Sequence, residues 1–286
     1  MNTTPPWQTL ISATELAALL AAGPAPVILD ASFDLADPAA GERSYRSAHV
    51  PGSFHVDLDR DLCAAKTGRN GRHPLPDRRH FAATVGAFGV APATQVVVLD
   101  RQGSVFAARL WWMLRWLGHA DVAVLDGGLE AWRAAGAAVT ADASVAVPAA
   151  ATYPERTSLA PTIDADLLAA ELGRLALVDA RSPERFRGDK EPIDPVAGHI
   201  PGALNRFHAA NLGGDGRFKP ADELRREFDV ALGTRPAGEV VHSCGSGVTA
   251  CHNLLAMAHA GLPGSRLYPG SWSEWSSDPG RPIARG

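Results

Sequence analysis

The chain has 286 residues, of which 46% are hydrophobic, and it carries a formal net charge of −4 at pH 7. This length exceeds one small domain and fits two domains of ordinary size, each with its own core. A slightly negative chain without a basic stripe argues against a nucleic-acid partner, and its interrupted apolar stretches argue against a membrane span.

The predicted elements of the first half alternate between short strands and helices. An N-capped helix is predicted over residues 14–20, and an apolar strand that ends in Asp-Ala follows over 27–31. Farther along, a strand is predicted over 95–99 and a helix over 107–117. This alternation is typical of an α/β unit in which helices flank a parallel sheet.

The second half repeats these elements in the same order. A helix is predicted over residues 164–170, strands over 177–180 and 239–242, and a further helix over 250–260. Self-similarity of this kind indicates two copies of one structural unit.

The repeat also predicts where the domains lie. A His-x-Pro-Gly motif occurs once in each half, at His49 and at His199. We therefore predict an N-terminal domain at 1–140 and a C-terminal domain at 161–286. The segment 141–160 between them is rich in Ala, Pro, Thr and Ser, a composition that suits a linker.

The most informative segment surrounds Cys244, where a short apolar strand ends and a glycine-bearing turn leads into a helix. Such a turn directs backbone N–H groups, here those of Gly245 to Thr249, at the sulfur. Together with the positive end of the helix dipole, they favour the thiolate, which is the reactive form of cysteine. Ligands of parallel sheets bind at the carboxyl ends of strands. We therefore predict that Cys244 is a nucleophile rather than a buried packing residue.

The first half has no thiol at the corresponding place. Aligning Val105 with Val248 puts Arg101 opposite Cys244, so the N-terminal domain is predicted to be catalytically inactive. Cys63 lies elsewhere in the chain and is expected to be a structural or incidental thiol.

The cysteine content also bears on the compartment and on metals. Cys63, Cys244 and Cys251 are too few for a disulfide framework, and no second pair of ligands accompanies them for zinc. The first six residues lack the pattern of a secretory signal. We therefore predict a cytoplasmic protein with no metal and no cofactor.

Three kinds of chemistry suit a thiolate in such a turn. A cysteine phosphatase needs an arginine at the end of the loop, where this chain has Ala250. A cysteine protease needs an oriented histidine base, and His242, on the same strand as Cys244, is expected to pack instead. Attack on a sulfur atom remains, giving a persulfide on Cys244 whose charge the loop N–H groups accept. Gly245 and Gly247 are expected to allow close approach and unusual torsions.

The run from Cys244 to Ala250, Cys-Gly-Ser-Gly-Val-Thr-Ala, resembles the active-site loop of the 3-mercaptopyruvate sulfurtransferases, within the two-domain rhodanese superfamily. Further stretches similar to that superfamily occur along the chain, at residues 49–52, 111–114, 125–128, 179–181, 185–188 and 198–203. The resemblance implies two tandem rhodanese-like domains, each a parallel sheet flanked by helices. It also implies that sulfur passes from 3-mercaptopyruvate through a Cys244 persulfide to cyanide or to a thiol such as thioredoxin or a low-molecular-weight thiol. Pyruvate is the product released.

The same resemblance implies a set of proton-transfer residues. Ser246 would act with His73 and Asp59 to protonate the leaving pyruvate enolate. Because His73 and Asp59 come from the first half of the chain, the site is expected at the interface of the domains. The alternative, that both are ordinary surface loop residues, stays open at this point.

The resemblance also implies substrate-binding residues. Arg185 matches one arginine of a pair that binds the substrate carboxylate. The second arginine of that pair follows a Glu-Pro dipeptide, but here Ile193 follows Glu191-Pro192. The second cation is therefore absent or is one of three other basic residues, Arg187, Lys190 or Arg72. The residues expected around the bound sulfur are Gly245, Gly247, Val248 and Thr249.

Two alternative functions stay open. One is a thiosulfate-preferring enzyme of the same fold, and the other is a non-enzymatic sulfur carrier or docking module. By the family resemblance, thiosulfate enzymes have an Arg-Lys pair directly after the cysteine, where this chain has Gly245-Ser246. The neutral pair favours the monoanionic mercaptopyruvate over the dianionic thiosulfate. An intact cysteine loop argues against a pure docking role.

Overall fold

A computed structural model describes residues 6–143 and 152–286 of the chain. Within those ranges the chain forms two compact units. The first comprises residues 6–62, 76–143, 152–159 and 215–217, and the second comprises residues 63–75, 160–214 and 218–286. Segment 63–75 thus belongs to the second unit although it lies in the first half of the sequence. The predicted linker at 141–160 lies partly outside the described residues, and its last part, from 152, belongs mainly to the first unit, where Tyr153 is buried.

The first unit contains a five-stranded, all-parallel sheet in the order β1-β5-β4-β2-β3. Its strands are β1 Leu10–Ile11, β2 Val27–Asp30, β3 Phe54–His55, β4 Val96–Leu99 and β5 Val122–Leu125. Its helices are α1 Ala13–Ala22, α2 Ala40–Ser47, α3 Leu58–Asp61, α4 Arg78–Ala87, α5 Val105–Trp116 and α6 Gly128–Ala134.

Local sequence explains where these elements begin. Helix α1 starts one residue before the predicted helix, because Ser12 and Glu15 form a capping box in which each side chain bonds the backbone N–H of the other. Strands β4 and β5 are wholly apolar and completely buried. Burial on both faces is expected of inner strands in a parallel sheet.

The second unit contains a four-stranded, all-parallel sheet in the order β7-β6-β8-β9. Its strands are β6 Ala176–Asp179, β7 Leu204–Asn205, β8 Val240–Ser243 and β9 Arg266–Leu267. Its α-helices are α7 Ala165–Ala170, α8 Pro183–Arg187, α9 Ala221–Leu232, α10 Ala250–His259 and α11 Ser271–Trp275. Two 3-10 helices span His208–Asn211 and Ala237–Glu239.

The core of the second unit holds strand β8, which leads directly into Cys244. Strand β8 pairs with β6 on one side and with β9 on the other. Val241 packs in a cluster with Tyr268, Trp272 and Trp275, all at most 1% exposed. Because β8 lies in the middle of the sheet, the loop that follows it leaves from a well-supported position at the carboxyl edge.

Neither a membrane helix nor a metal cluster is found in the described ranges. No helix there combines the length and apolar character that crossing a membrane requires. The same residues contain no grouping of three or more His, Cys, Asp and Glu side chains that could bind a metal ion.

Candidate active site

Cys244 lies at the carboxyl end of β8, where the sequence places it, and is 2% exposed. Helix α10 begins six residues later, at Ala250. Residues 244–249 form a tight loop. In it, Sγ of Cys244 accepts a hydrogen bond from the backbone N–H of Gly247 at 3.1 Å. Within the described part of the chain, this is the one N–H of the predicted cradle that is seen to contact Sγ.

The two loop glycines are needed for different reasons. Gly247 has a φ of +76°, and a Cβ atom there would lie 2.3 Å from the carbonyl oxygen of Pro269. Gly245 does not have a positive φ, so the prediction of unusual torsions is wrong for this residue. A Cβ at Gly245 would instead meet two guanidinium groups, those of Arg72 and Arg185. Gly247 is required by the backbone, whereas Gly245 leaves space for cations.

Residues at the start of α11 hold the loop in place. The Ser271 hydroxyl accepts a hydrogen bond from the backbone N–H of Cys244 at 3.0 Å. Trp272 and Ser273 donate their N–H groups to the carbonyls of Cys244 and Gly245 at 3.0 and 2.9 Å. These bonds pair the buried backbone of the loop and fix the position of the sulfur. No local sequence signal predicts these bonds, because α11 lies more than twenty residues downstream.

Ser246 and His73 lie together in the second unit. The Ser246 hydroxyl is 2.7 Å from Nδ1 of His73, and both residues are at most 5% exposed. The backbone N–H of Arg72 bonds to the hydroxyl of Ser273 at 3.0 Å, which ties segment 63–75 beside the loop. The alternative of His73 as a surface residue is therefore excluded. Asp59 lies in α3 of the first unit and is partly buried, and its predicted role stays a prediction.

A network of charged side chains surrounds Gly245. Arg185 bonds the Glu191 carboxylate through Nε and Nη2 and reaches Asp194 at 3.1 Å. Arg72 pairs with the other oxygen of Asp194 through Nη1. Burial raises the pKa of Glu191, but hydrogen bonds from Arg185 and from the Asp194 backbone outweigh it and leave that pKa below its usual value. Glu191 therefore stays ionised and holds Arg185 in place.

Arg181 is a further cation near the sulfur that the sequence reasoning did not identify as functional. It is 2% exposed and pairs with Asp179 at 2.7 Å and with Glu191 at 3.4 Å. Burial lowers the pKa of Arg181, but the negative charges of Asp179, Glu191 and Cys244 outweigh it and raise that pKa above its usual value. A permanent buried cation therefore contributes to the electrostatic field at Cys244. The Asp-Ala-Arg motif was the available sequence signal.

His242 and the other two cysteines make contacts that do not involve the Cys244 sulfur. His242 is completely buried with Nε2 3.0 Å from the sulfur of Met257, and burial lowers its pKa to about 3. It packs as a neutral ring, as predicted. Cys63 is buried, and Cys251 points its sulfur at the Gly247 carbonyl at 3.3 Å.

The first unit shows what occupies the equivalent turn. Strand pairing aligns Leu99 with Ser243, because each faces the Asp that ends the neighbouring strand. The residue at the position of Cys244 is therefore Asp100 rather than Arg101, which corrects the sequence alignment. The loop of the first unit, residues 100–104, is one residue shorter than the loop at residues 244–249. An alignment anchored on the helix after the loop therefore pairs Cys244 with Arg101 instead of Asp100.

The Asp100 carboxylate fills its own N–H cradle. It accepts backbone N–H groups from Gln102 and Ser104 on one oxygen and from Phe106 and Ala107 on the other, at 2.8–3.0 Å. Burial raises the pKa of Asp100, and these four donors oppose that shift. Arg101 instead turns to Asp30 at 2.9 Å. The turn of the first unit therefore holds a carboxyl group in place of a thiol.

Known proteins resemble this chain over most of its length. The family model described as "Rhodanese-like domain" matches residues 12–135 and 164–278. A curated relative from Pseudomonas aeruginosa, named "Probable 3-mercaptopyruvate sulfurtransferase", is 51% identical over 97% of this chain and 98% of its own. The thiosulfate sulfurtransferase of Bos taurus is 37% identical over 88% of this chain and 86% of its own. The solved 3-mercaptopyruvate sulfurtransferase from Leishmania major has a TM-score of 0.83 and 32% identity, covering 94% of this chain and 74% of that one.

Fold and site together define a tandem α/β protein with the buried thiol of Cys244 at the carboxyl edge of its second sheet. The chain belongs to the rhodanese family and has one rhodanese-like domain in each half. The predicted resemblance and the predicted fold class are thereby confirmed.

Proposed function

We propose that this protein is a sulfurtransferase that takes sulfur from 3-mercaptopyruvate onto Cys244 and passes it to an acceptor. The observation that carries the proposal is a hydrogen bond between Ser246 and His73. Ser246 lies two residues after the Cys244 thiol. It puts a proton source beside a nucleophile, which a reaction with a carbanionic leaving group needs.

In the first half-reaction, the Cys244 thiolate attacks the sulfur of 3-mercaptopyruvate. A sulfur–sulfur bond forms, the carbon–sulfur bond of the donor breaks, and its electron pair goes to carbon as the pyruvate enolate. Ser246, backed by His73, delivers the proton that converts the enolate to pyruvate. The persulfide carries its charge on the terminal sulfur, which the N–H groups of the loop would accept. The Gly247 N–H already bonds Sγ of Cys244.

In the second half-reaction, an acceptor thiolate or cyanide attacks the terminal sulfur and restores the Cys244 thiolate. A thiolate of thioredoxin or of a low-molecular-weight thiol would suit this step, since it takes the terminal sulfur and becomes a persulfide, from which a second thiolate can displace sulfide to give a disulfide. A cytoplasmic location is part of this proposal, since a chain with three cysteines suits a reducing compartment.

Intact-mass measurement tests the proposal. Wild-type protein treated with 3-mercaptopyruvate should gain one sulfur atom and release one pyruvate, whereas Cys244→Ser should gain nothing. Cys63→Ser and Cys251→Ser serve as matched controls and should load like the wild type. A persulfide mapped to Cys63 or Cys251, or release of pyruvate by Cys244→Ser, would overturn the assignment.

Thiosulfate is the competing donor, since one relative that matches this chain is named for 3-mercaptopyruvate and another for thiosulfate. Its leaving group, sulfite, departs without protonation, so it makes no use of the Ser246–His73 pair. A comparison of kcat/KM for the two donors therefore decides between them, and the higher value is expected for 3-mercaptopyruvate.

A further inference from the structure

We infer that the second unit has a binding site for a small zwitterion, a free α-amino acid, in a cavity between segment 63–75 and the residues that follow α11. Arg69 binds the carboxylate of this ligand, and Glu274 binds its ammonium group. The inference goes beyond the proposed function, because neither residue belongs to the candidate active site.

The cavity lies within the second unit and is lined almost entirely by polar and charged side chains. Its volume is about 330 Å³, which is at the lower end of the range for small-molecule sites and equals the volume of about ten water molecules. The formal charges of the lining, two positive and two negative, cancel, so the cavity suits a ligand without net charge. The lining residues are Arg69, Glu274, Ser277, Asp278, Pro279 and Arg281.

Two of the four charged side chains already have partners. Arg281 pairs with Asp166 at 2.8 Å and with Asp278 at 3.4 Å. Its guanidinium group also stacks on the ring of Trp275. Asp278 accepts the backbone N–H of Gly280 at 2.9 Å. These contacts make Arg281 and Asp278 a fixed wall of the cavity.

The other two charged side chains have no ion-pair partner. Across residues 6–143 and 152–286, Arg69 and Glu274 pair neither with each other nor with another charged side chain. Residues 1–5 and 144–151 contain no charged side chain, so they offer no partner either. Arg69 is exposed, but Glu274 is half-buried, and a half-buried carboxylate without a cation costs free energy. A ligand with both charges would supply the missing partner of each group.

Neighbouring residues hold the Glu274 carboxylate in place. A Cβ atom on Gly270 would overlap Oε2 of Glu274, so the carboxylate folds back over that glycine. Burial raises the pKa of the Tyr268 hydroxyl, and the charge of Glu274 raises that pKa further, so the carboxylate lies close to this phenol. A group that is already fixed loses less conformational entropy when it binds a ligand.

An α-amino acid matches these two groups in charge and in shape. Its carboxylate can accept two parallel N–H bonds from the Arg69 guanidinium, and its ammonium group is a compact cation for Glu274. A ligand with only a negative charge would be repelled by Glu274, and one with only a positive charge would be repelled by Arg69. Both charges on one small molecule are therefore needed.

A ligand in this cavity would join two segments that support the candidate active site. Segment 63–75 carries Arg69 and, four positions later, His73. Helix α11 carries Glu274 directly after Ser273, whose hydroxyl accepts a backbone N–H of segment 63–75 at 3.0 Å. The Ser273 backbone N–H in turn bonds the loop after β8 at 2.9 Å. An amino acid held between Arg69 and Glu274 would restrain both segments.

The test is an NMR titration of isotope-labelled wild-type protein with L-alanine. The amide signals of Ser277 and Asp278 should shift in a saturable way, with a dissociation constant in the millimolar range. Two analogues with one charge each serve as comparisons, propionate for the carboxylate and 2-aminopropane for the ammonium group. Each should bind at least about 10-fold more weakly than L-alanine, because one charge-assisted bond is missing.

Variants remove the ligand contacts one at a time. Arg69→Gln and Glu274→Gln should each weaken L-alanine binding by about 10-fold. Arg79→Gln, a change at an exposed arginine of α4, is the matched control and should bind like the wild type. Arg185→Ala should keep the shifts at Ser277 and Asp278, which separates this site from any carboxylate bound beside Gly245. Arg69→Gln should also load sulfur like the wild type, since its fold is unchanged.

Three results would overturn the inference. The first is the absence of a saturable shift at Ser277 and Asp278 with L-alanine. The second is equal binding of either analogue, which would mean a site for a single charge. The third is unchanged L-alanine binding in Arg69→Gln. The binding measurements do not use sulfur transfer, so a failure of the proposed function would leave them unaffected.

Discussion

The Ser246 hydroxyl lies 2.7 Å from Nδ1 of His73, although 173 positions separate the two residues in the sequence. Depending on the tautomer of the ring, the hydroxyl donates to Nδ1 or accepts from it, so a proton can pass in either direction. Both side chains are buried, which shields the pair from competing water. The relationship exists because segment 63–75 folds as part of the second unit.

The first prediction concerns this pair. Ser246→Ala and His73→Ala should each lower kcat for 3-mercaptopyruvate by about 10²- to 10⁴-fold, because each removes part of the proton source. The double variant should be little worse than either single variant, since the two groups act as a unit. His80→Ala, on the exposed face of α4, is the matched control. Additive losses in steady-state assays would mean that the two residues act separately.

Asp59 is the subject of the second prediction. The family resemblance assigns Asp59 to proton transfer, so Asp59→Asn should lower kcat by about 10²-fold or more and leave the Cys244 persulfide detectable by mass after long incubation. Asp37→Asn, in an exposed ion pair of the same unit, is the control. A near-normal kcat in Asp59→Asn would show that Asp59 takes no part in the reaction.

The third prediction follows from the filled cradle of the first unit. Asp100→Ala should lower the free energy of unfolding by at least about 3 kcal/mol, because four buried backbone N–H groups lose their acceptor. Asp34 also accepts two backbone N–H groups but is exposed, so Asp34→Ala should cost much less. Urea unfolding of both variants gives the comparison. Equal stabilities would show that the carboxylate does not hold the turn.

The fourth prediction concerns acid stability. Burial, with a smaller contribution from the charge of Arg206, lowers the pKa of His242 to about 3, so the folded protein binds this proton far less readily than the unfolded chain. The stability contributed by the neutral ring is complete above about pH 6.5 and is lost as pH falls toward 3. The slope from this one group is at most about 1.4 kcal/mol per pH unit.

Replacing the ring provides the measurement. His242→Asn cannot titrate, so its free energy of unfolding should fall less steeply than that of the wild type between pH 6 and pH 4. Comparing slopes removes any constant loss from the altered packing. Parallel curves for the two proteins would mean that His242 is not a source of the acid sensitivity.

The sequence predicted most of what local patterns determine. Strands β2, β4, β6 and β8 lie within one residue of the predicted bounds, because short apolar runs between turns define them. Cys244 was identified for a similar reason, since strand, turn and helix are adjacent in the chain. Helix α1 begins one residue before the predicted start, because the prediction did not include the capping box at Ser12.

What the sequence could not supply is the set of contacts between distant segments. Nothing near Arg72 indicates that Asp194, far along the chain, would orient it. The support of the loop by Ser271 is equally remote. The alignment of Arg101 with Cys244 failed because a one-residue difference in loop length is visible only in the strand register. Local periodicity carries no information on these points.

The last prediction concerns donor choice at Gly245 and Ser246. Gly245→Arg would place a third cation against Arg72 and Arg185, and Ser246→Lys would add a fourth and remove the hydroxyl partner of His73. The added charges favour dianionic thiosulfate, whose leaving group needs no proton, and disfavour a donor that depends on the lost acid. The ratio of kcat/KM for thiosulfate to that for 3-mercaptopyruvate should therefore rise by about 10²-fold or more in the double variant. Gly245→Ala with Ser246→Ala is the matched control, since it removes the acid without adding charge and should lower turnover of 3-mercaptopyruvate without raising that of thiosulfate. The prediction would be contradicted by a wild-type enzyme that already turns over thiosulfate with the higher kcat/KM.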